Sequence, residues 1–149
     1  MPAIPAVSTL TIPASHADLL SRPLYAHLVT IRHDGTPQTG PMWVEWDGEF
    51  LRFSNTTTAF KYRNITRNPL VAVSIIDPDL PRRYLEIGGR VERIDPDPDG
   101  TFYRRLAARY GRPETGPPSD AAQRVIYHVR PARIFARTTQ ACPSAASLP

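Results

Sequence analysis

The chain has 149 residues, enough for one domain with one core, and its 41% hydrophobic and 21% charged content exclude a disordered or fibrous chain. No run of 18 apolar residues occurs, which excludes a membrane-spanning helix, and the single cysteine, Cys142, excludes a disulfide framework or a cysteine-held metal. The net charge of +4 favours anionic partners, nucleic acid or a phosphorylated small molecule, or is a general surface charge; the basic residues are spread along the chain, which weakens the nucleic-acid case.

Met1 to Ala14 is apolar and proline-containing but lacks a basic start, so residues 1–14 read as a loose tail rather than a secretory leader, and a cytoplasmic location is expected. Ser15 and Asp18 are spaced as in a capping box and predict a short helix that stops near Arg22 and Pro23. Leu24 to Arg32 reads as a strand, Asp34-Gly35 as a hairpin turn, Gln38 to Trp46 as a second strand, Asp47-Gly48 as a second turn, and Glu49 to Ser54 as a third strand. Asn55 to Thr58 is a polar loop, and Ala59 to Asn68 a helix stopped by Pro69. Leu70 to Ile76 is a continuous apolar run and predicts a buried strand. Tyr84 to Ile94 alternates as a strand should, with Gly88-Gly89 at its middle predicting a bulge or sharp bend. Thr101 to Tyr110 predicts an amphipathic helix with Phe102, Leu106 and Tyr110 on one face. Arg124 to Ala136 is a last strand, and Pro131 requires at least half of it to lie at an edge. Residues 15–137 are thus the domain, and 138–149 a second loose tail.

This order lacks the regular strand–helix alternation of a parallel fold. It predicts a mainly β (α+β) fold in which six antiparallel strands close into a barrel, with short flanking helices.

The segment Phe53 to Asn64 is the most informative for chemistry. A strand ends, three threonines follow, and a helix begins; the free N–H groups of a helix's first turn attract anions. Thr58 and Lys61 are three apart, so a hydroxyl, helix N–H groups and an ammonium converge as a phosphate requires, or else Thr58 only caps the helix and Lys61 is solvated. Lys61 is the only lysine among 18 basic residues, and a compact ammonium does not substitute for a forked guanidinium. Met42, Trp43 and Trp46 are either plain core or an apolar wall for a planar ring. His16, His27, His33 and His128 have no metal-ligand spacing, so no metal site is expected. No dinucleotide, P-loop or nucleophile-elbow motif occurs, and no catalytic residue stands out; Tyr62, Tyr127 and His128 are either proton donors or structural.

The run from Ala26 to Gln38, the following Pro41-Met42-Trp43-Val44, and Lys61-Tyr62-Arg63-Asn64-Ile65-Thr66-Arg67-Asn68-Pro69 together resemble the pyridoxamine-phosphate-oxidase-like split-barrel flavoproteins. Within them the chain is most similar to the actinobacterial branch that uses the deazaflavin coenzyme F420. The resemblance spans about Leu19 to Ala136. It implies a six-stranded split β-barrel and a homodimer with the cofactor in a groove between subunits. It also implies Gly40, Pro41, Met42, Trp43 and Val44 along the ring system, and Ser54, Thr58 and Lys61 around the phosphate with Arg63 and Asn64 nearby. Ala59 and Phe60 stand where relatives often carry a basic residue, and Arg82 or Arg83 is expected to compensate or to meet the acidic tail of F420. The implied reaction is hydride transfer between the deazaflavin and an unsaturated small molecule. The alternatives are an FMN-dependent oxidoreductase on the same fold and a non-catalytic barrel that binds a flavin or haem.

Overall fold

The computed structural model describes residues 10–139. After a 3-10 turn at Ala14–His16 come α1 (Asp18–Ser21), β1 (Ala26–Ile31), β2 (Pro37–Met42), β3 (Glu45–Trp46), β4 (Leu51–Thr56), α2 (Phe60–Arg67), β5 (Leu70–Ile76), β6 (Arg83–Pro96), α3 (Thr101–Arg109), a second 3-10 turn at Ala121–Gln123, and β7 (Arg124–Thr138). The expected tails lie largely outside the described residues, as does Cys142. No helix among the described residues is long and apolar enough to cross a membrane.

The two hairpin turns form for local reasons. Gly35 (φ 84°) and Gly48 (φ 95°) take the left-handed conformation that a tight turn requires. The Asp34 carboxylate accepts from the Thr36 N–H at 3.0 Å, and Asp47 accepts from the N–H groups of Glu49 and Phe50 at 2.8 and 2.6 Å. The Ser15–Asp18 capping box does not form. No side chain caps α1, the Ser15 hydroxyl bonds to the His16 ring at 2.8 Å, and Asp18 pairs with Arg83 and Arg22. Two guanidinium groups outcompete a backbone N–H for that carboxylate.

Seven antiparallel strands, one more than expected, lie in the order β2-β1-β5-β6-β7-β4-β3. The extra strand arises because the predicted Gln38–Trp46 strand breaks at Trp43-Val44. There the Tyr110 hydroxyl, just past α3, accepts from the Val44 N–H at 3.0 Å and donates to the Leu24 carbonyl at 2.6 Å. β2 and β3 therefore sit at opposite ends of the sheet, although only two residues separate them. Met42 and Glu45 are then at most about 11 Å apart, so the sheet curls until its edges approach without pairing. That is a split barrel.

The Gly88-Gly89 bend is a register shift between β6 and β7. A Cβ on Gly89 would lie 2.6 Å from the Arg130 carbonyl oxygen, so the strands approach this closely only over a glycine. β7 pairs with β4 only from Arg124 to Val129, so its half from Pro131 onward has a neighbour on one side alone. The barrel interior is filled by Leu28, Phe53, Val73, Ile75, Leu85, Ile87, Tyr127 and Val129, with Leu19, Leu20 and Ile65 closing it from the helices. β5 is not buried on both faces as its composition suggests. Val71, Val73 and Ile75 point inward, whereas Leu70 and Ile76 are 55% and 42% exposed, because a barrel strand has an outer side.

Candidate functional site

α2 packs across β1 and β2 through its buried Asn64. The Asn64 amide donates to Thr30 Oγ1 at 3.0 Å and to Gln38 Oε1 at 2.8 Å, and its oxygen accepts from Arg67 at 3.3 Å. Asn64 is thus spent on fixing the helix. One turn earlier, Lys61 reaches over Gly40 on the same face of β2. A Cβ placed on Gly40 would lie 3.0 Å from Lys61 Nζ and 3.4 Å from its Cε, so the absence of a side chain at Gly40 gives the ammonium its seat.

Among the described residues Lys61 has no carboxylate within ion-pair distance, while many arginines do. Arg83 is held between Asp18 and Asp77, hydrogen bonds that push its pKa up, so it is committed to the fold and does not serve as the expected replacement. Arg82 stays exposed.

The helix that begins beside Lys61 has Ala59 as its N-cap and no side chain capping it, so its first-turn N–H groups remain available. Thr58 precedes that cap. It is exposed, and its hydroxyl lies 3.0 Å from that of Thr56. Arg63 is exposed with its guanidinium 5.4 Å from the Phe60 ring centroid.

Further along β2 the surface turns aromatic. A cavity of about 210 Å³ is lined by residues including Pro41, Met42, Trp43, Ser54, Tyr103 and Arg124. Trp43 is stacked between Tyr110 (5.3 Å, 16°) and Tyr103 (6.1 Å, 27°). Burial pushes both tyrosine pKa values up, so both phenols stay neutral around pH 7. Val44, expected beside the ring, instead turns its side chain into the core at 2% exposure and gives its N–H to Tyr110. Ser54 lies on the aromatic cavity, where its hydroxyl accepts from Arg124 at 3.4 Å. A second depression, of about 390 Å³, lies at the other end of β2 between Arg32, His33, Gln38, Phe60 and Asn64.

The structure thus joins Gly40 with Lys61, joins Pro41, Met42 and Trp43 with Ser54, and withdraws Val44 and Asn64 into structural contacts. Sequence reasoning missed Tyr103 and Arg124. The signal for Tyr103 was its place with Leu106 and Tyr110 on a stripe of α3 at helical spacing; Arg124 carried none. No group of three or more His, Cys, Asp or Glu among the described residues is arranged to hold a metal ion.

The family model for pyridoxamine 5'-phosphate oxidase matches residues 12–138. A solved structure described as an F420 reductase is 57% identical, with a TM-score of 0.81 over 83% of this chain and 98% of that one. A Listeria innocua structure described as a putative pyridoxamine 5'-phosphate oxidase is 22% identical, with a TM-score of 0.63 over 84% of this chain and 97% of that one. A conserved hypothetical protein from Mycobacterium tuberculosis is 21% identical, with a TM-score of 0.66 over 95% and 98%. These last two share the fold. None of the curated proteins matches.

Proposed function

Because the chain belongs to the pyridoxamine 5'-phosphate oxidase family, we propose that it is an oxidoreductase that uses the deazaflavin coenzyme F420 on an unsaturated small molecule, as a cytoplasmic homodimer. The observation that carries this reading is the ammonium of Lys61, without an ion-pair partner among the described residues and seated over Gly40 beside the uncapped first turn of α2. A phosphate is best held by just this combination of a point cation and helix N–H groups. The residues present therefore fit a phosphate-bearing cofactor. Lys61, Thr58 and the first turn of α2 would hold its phosphate, and Pro41, Met42 and Trp43 would lie along its ring system.

When bound, the deazaflavin supplies the hydride chemistry. The protein's own part is to orient and to keep water out. The Tyr103–Trp43–Tyr110 stack makes a rigid apolar wall, and the Tyr110 hydroxyl anchors the Trp43-Val44 backbone that carries it. The choice of F420 over FMN is supported by the F420 reductase relative and by exposed arginines, Arg63 and Arg82, that suit a tail of carboxylates. The homodimer is supported by an apolar depression of about 240 Å³ on the outer face of β1 and β5, lined by residues including Val29, Ile31, Leu70 and Ala72. A shared groove between two copies would cover such a surface.

Lys61→Ala tests the reading. Loss of a charge-assisted contact worth about 1.5–3 kcal/mol should weaken F420 binding by about ten- to a hundredfold, with the melting temperature of the cofactor-free protein unmoved. Unchanged affinity would remove Lys61 from the site.

A further inference from the structure

The aromatic cavity carries a polar pair, Arg124 and Ser54, to which the reading above gives no role. The Arg124 guanidinium is fixed on two sides. Its Nε and one terminal nitrogen each donate to the Asp120 carboxylate at 2.9 Å, and its plane sits 4.0 Å from the centroid of the Tyr103 ring. Its other terminal nitrogen reaches Ser54 Oγ at 3.4 Å, longer than a well-formed hydrogen bond. The Arg124 side chain is only 15% exposed, so this nitrogen is not simply solvated. Ser54 accepts from it and keeps its own O–H free to donate. Two donors from strands adjacent in the sheet, β4 and β7, therefore meet at the wall of a cavity otherwise made of Tyr25, Pro41, Met42, Trp43, Tyr103 and Leu106.

We propose that Arg124 and Ser54 form a two-donor anchor for a carbonyl oxygen on a flat ring bound in this cavity, which makes Arg124 a specificity-determining residue. That the ring belongs to the substrate rests on the oxidoreductase reading above, in which the cofactor's ring system shares Pro41, Met42 and Trp43 with this cavity, so the F420 arm of the test separates the two. The cavity, at about 210 Å³, is smaller than the roughly 300–1,000 Å³ of sites that take a drug-sized ligand. It therefore suits a single ring, held by apolar contact with Met42, Trp43 and Leu106 of the lining. Asp120 offsets the charge of Arg124, so the anchor prefers a neutral carbonyl to a carboxylate. A ring lacking the oxygen leaves two half-buried donors unpaired, and sites built this way reject such analogues strongly.

The probes are acetophenone, a flat ring with a neutral carbonyl, and benzoate, its carboxylate counterpart. Binding to the full chain is followed by the NMR signal of the Trp43 indole N–H, with and without added F420. Acetophenone is expected to shift the signal at millimolar concentration and to bind more tightly than benzoate. Ser54→Ala and Arg124→Lys should each weaken acetophenone by about tenfold, the lysine keeping the charge but losing the fork. Ser54→Ala keeps the experiment decisive should Arg124→Lys disturb the fold. Acetophenone binding that is absent, or that is unchanged in both variants, overturns the proposal. So does tighter benzoate binding, or a loss of F420 affinity in Ser54→Ala with acetophenone unaffected, which would assign the donors to the cofactor. If acetophenone behaves as expected but F420 does not bind, the anchor stands and the cofactor reading falls.

Discussion

Gly40→Ala separates the seat of Lys61 from the stability of the barrel. The new Cβ would lie 3.0 Å from Nζ and 3.4 Å from Cε of Lys61, closer than side chains normally approach. Both atoms belong to the flexible end of the lysine, so the ammonium withdraws by a few tenths of an ångström and the backbone stays. A hydrogen bond to phosphate stretched by that much loses about half of the 1.5–3 kcal/mol it is worth, about 1 kcal/mol, or about fivefold in affinity. Stability should move the other way. Gly40 has no positive φ, and alanine is about 0.5–1 kcal/mol better than glycine inside a strand. The assay is quenching of F420 fluorescence on titration, paired with thermal melting of the cofactor-free protein. Weaker binding with an equal or higher melting temperature is expected, and adding Gly40→Ala to Lys61→Ala should cost nothing further. Undiminished F420 affinity in Gly40→Ala, or a melting temperature lower by several degrees, would refute the reasoning.

Tyr110→Phe should leave the Val44 N–H and the Leu24 carbonyl without their partner, costing about 1–3 kcal/mol, seen as a lower midpoint in urea; an unmoved midpoint would detach Tyr110 from the break between β2 and β3. Burial holds the pKa of His128 below its ordinary 6.5, so the unfolded chain takes up a proton before the folded one does. Stability should therefore fall as pH drops below 6.5, and His128→Gln should flatten that part of the urea-midpoint profile. Leu70→Asp places a charge on the exposed apolar face and should halve the mass measured by light scattering from dimer to monomer, whereas a parent that is already monomeric would remove that face as an interface.

What the sequence revealed was chemistry complete within a few residues. Asp34-Gly35 and Asp47-Gly48 carry both the side-chain acceptor and the positive φ that their turns need, and Gly88-Gly89 marks a bend because no other residue lets strands approach so closely there. Lys61 stands out in the sequence through its rarity. Contacts made over long stretches of chain were not. The break at Trp43-Val44 is made by Tyr110, 66 residues beyond Val44, and the Ser54–Arg124 pair spans 70. Arg83 looked free for a ligand although one partner, Asp77, lies six residues before it; the other, Asp18, lies 65 residues earlier. The outward side of β5 reads as core because an apolar residue on a barrel's outer face has the same composition as one inside.

The most direct test of the account is titration of the parent protein with F420 and FMN side by side, at low and high salt. The account predicts micromolar or better binding of F420, weaker binding of FMN, and an F420 affinity that falls more steeply with salt because its tail meets exposed arginines. Tight FMN binding with no detectable F420 binding would contradict it and make the chain an FMN-dependent member of the same family.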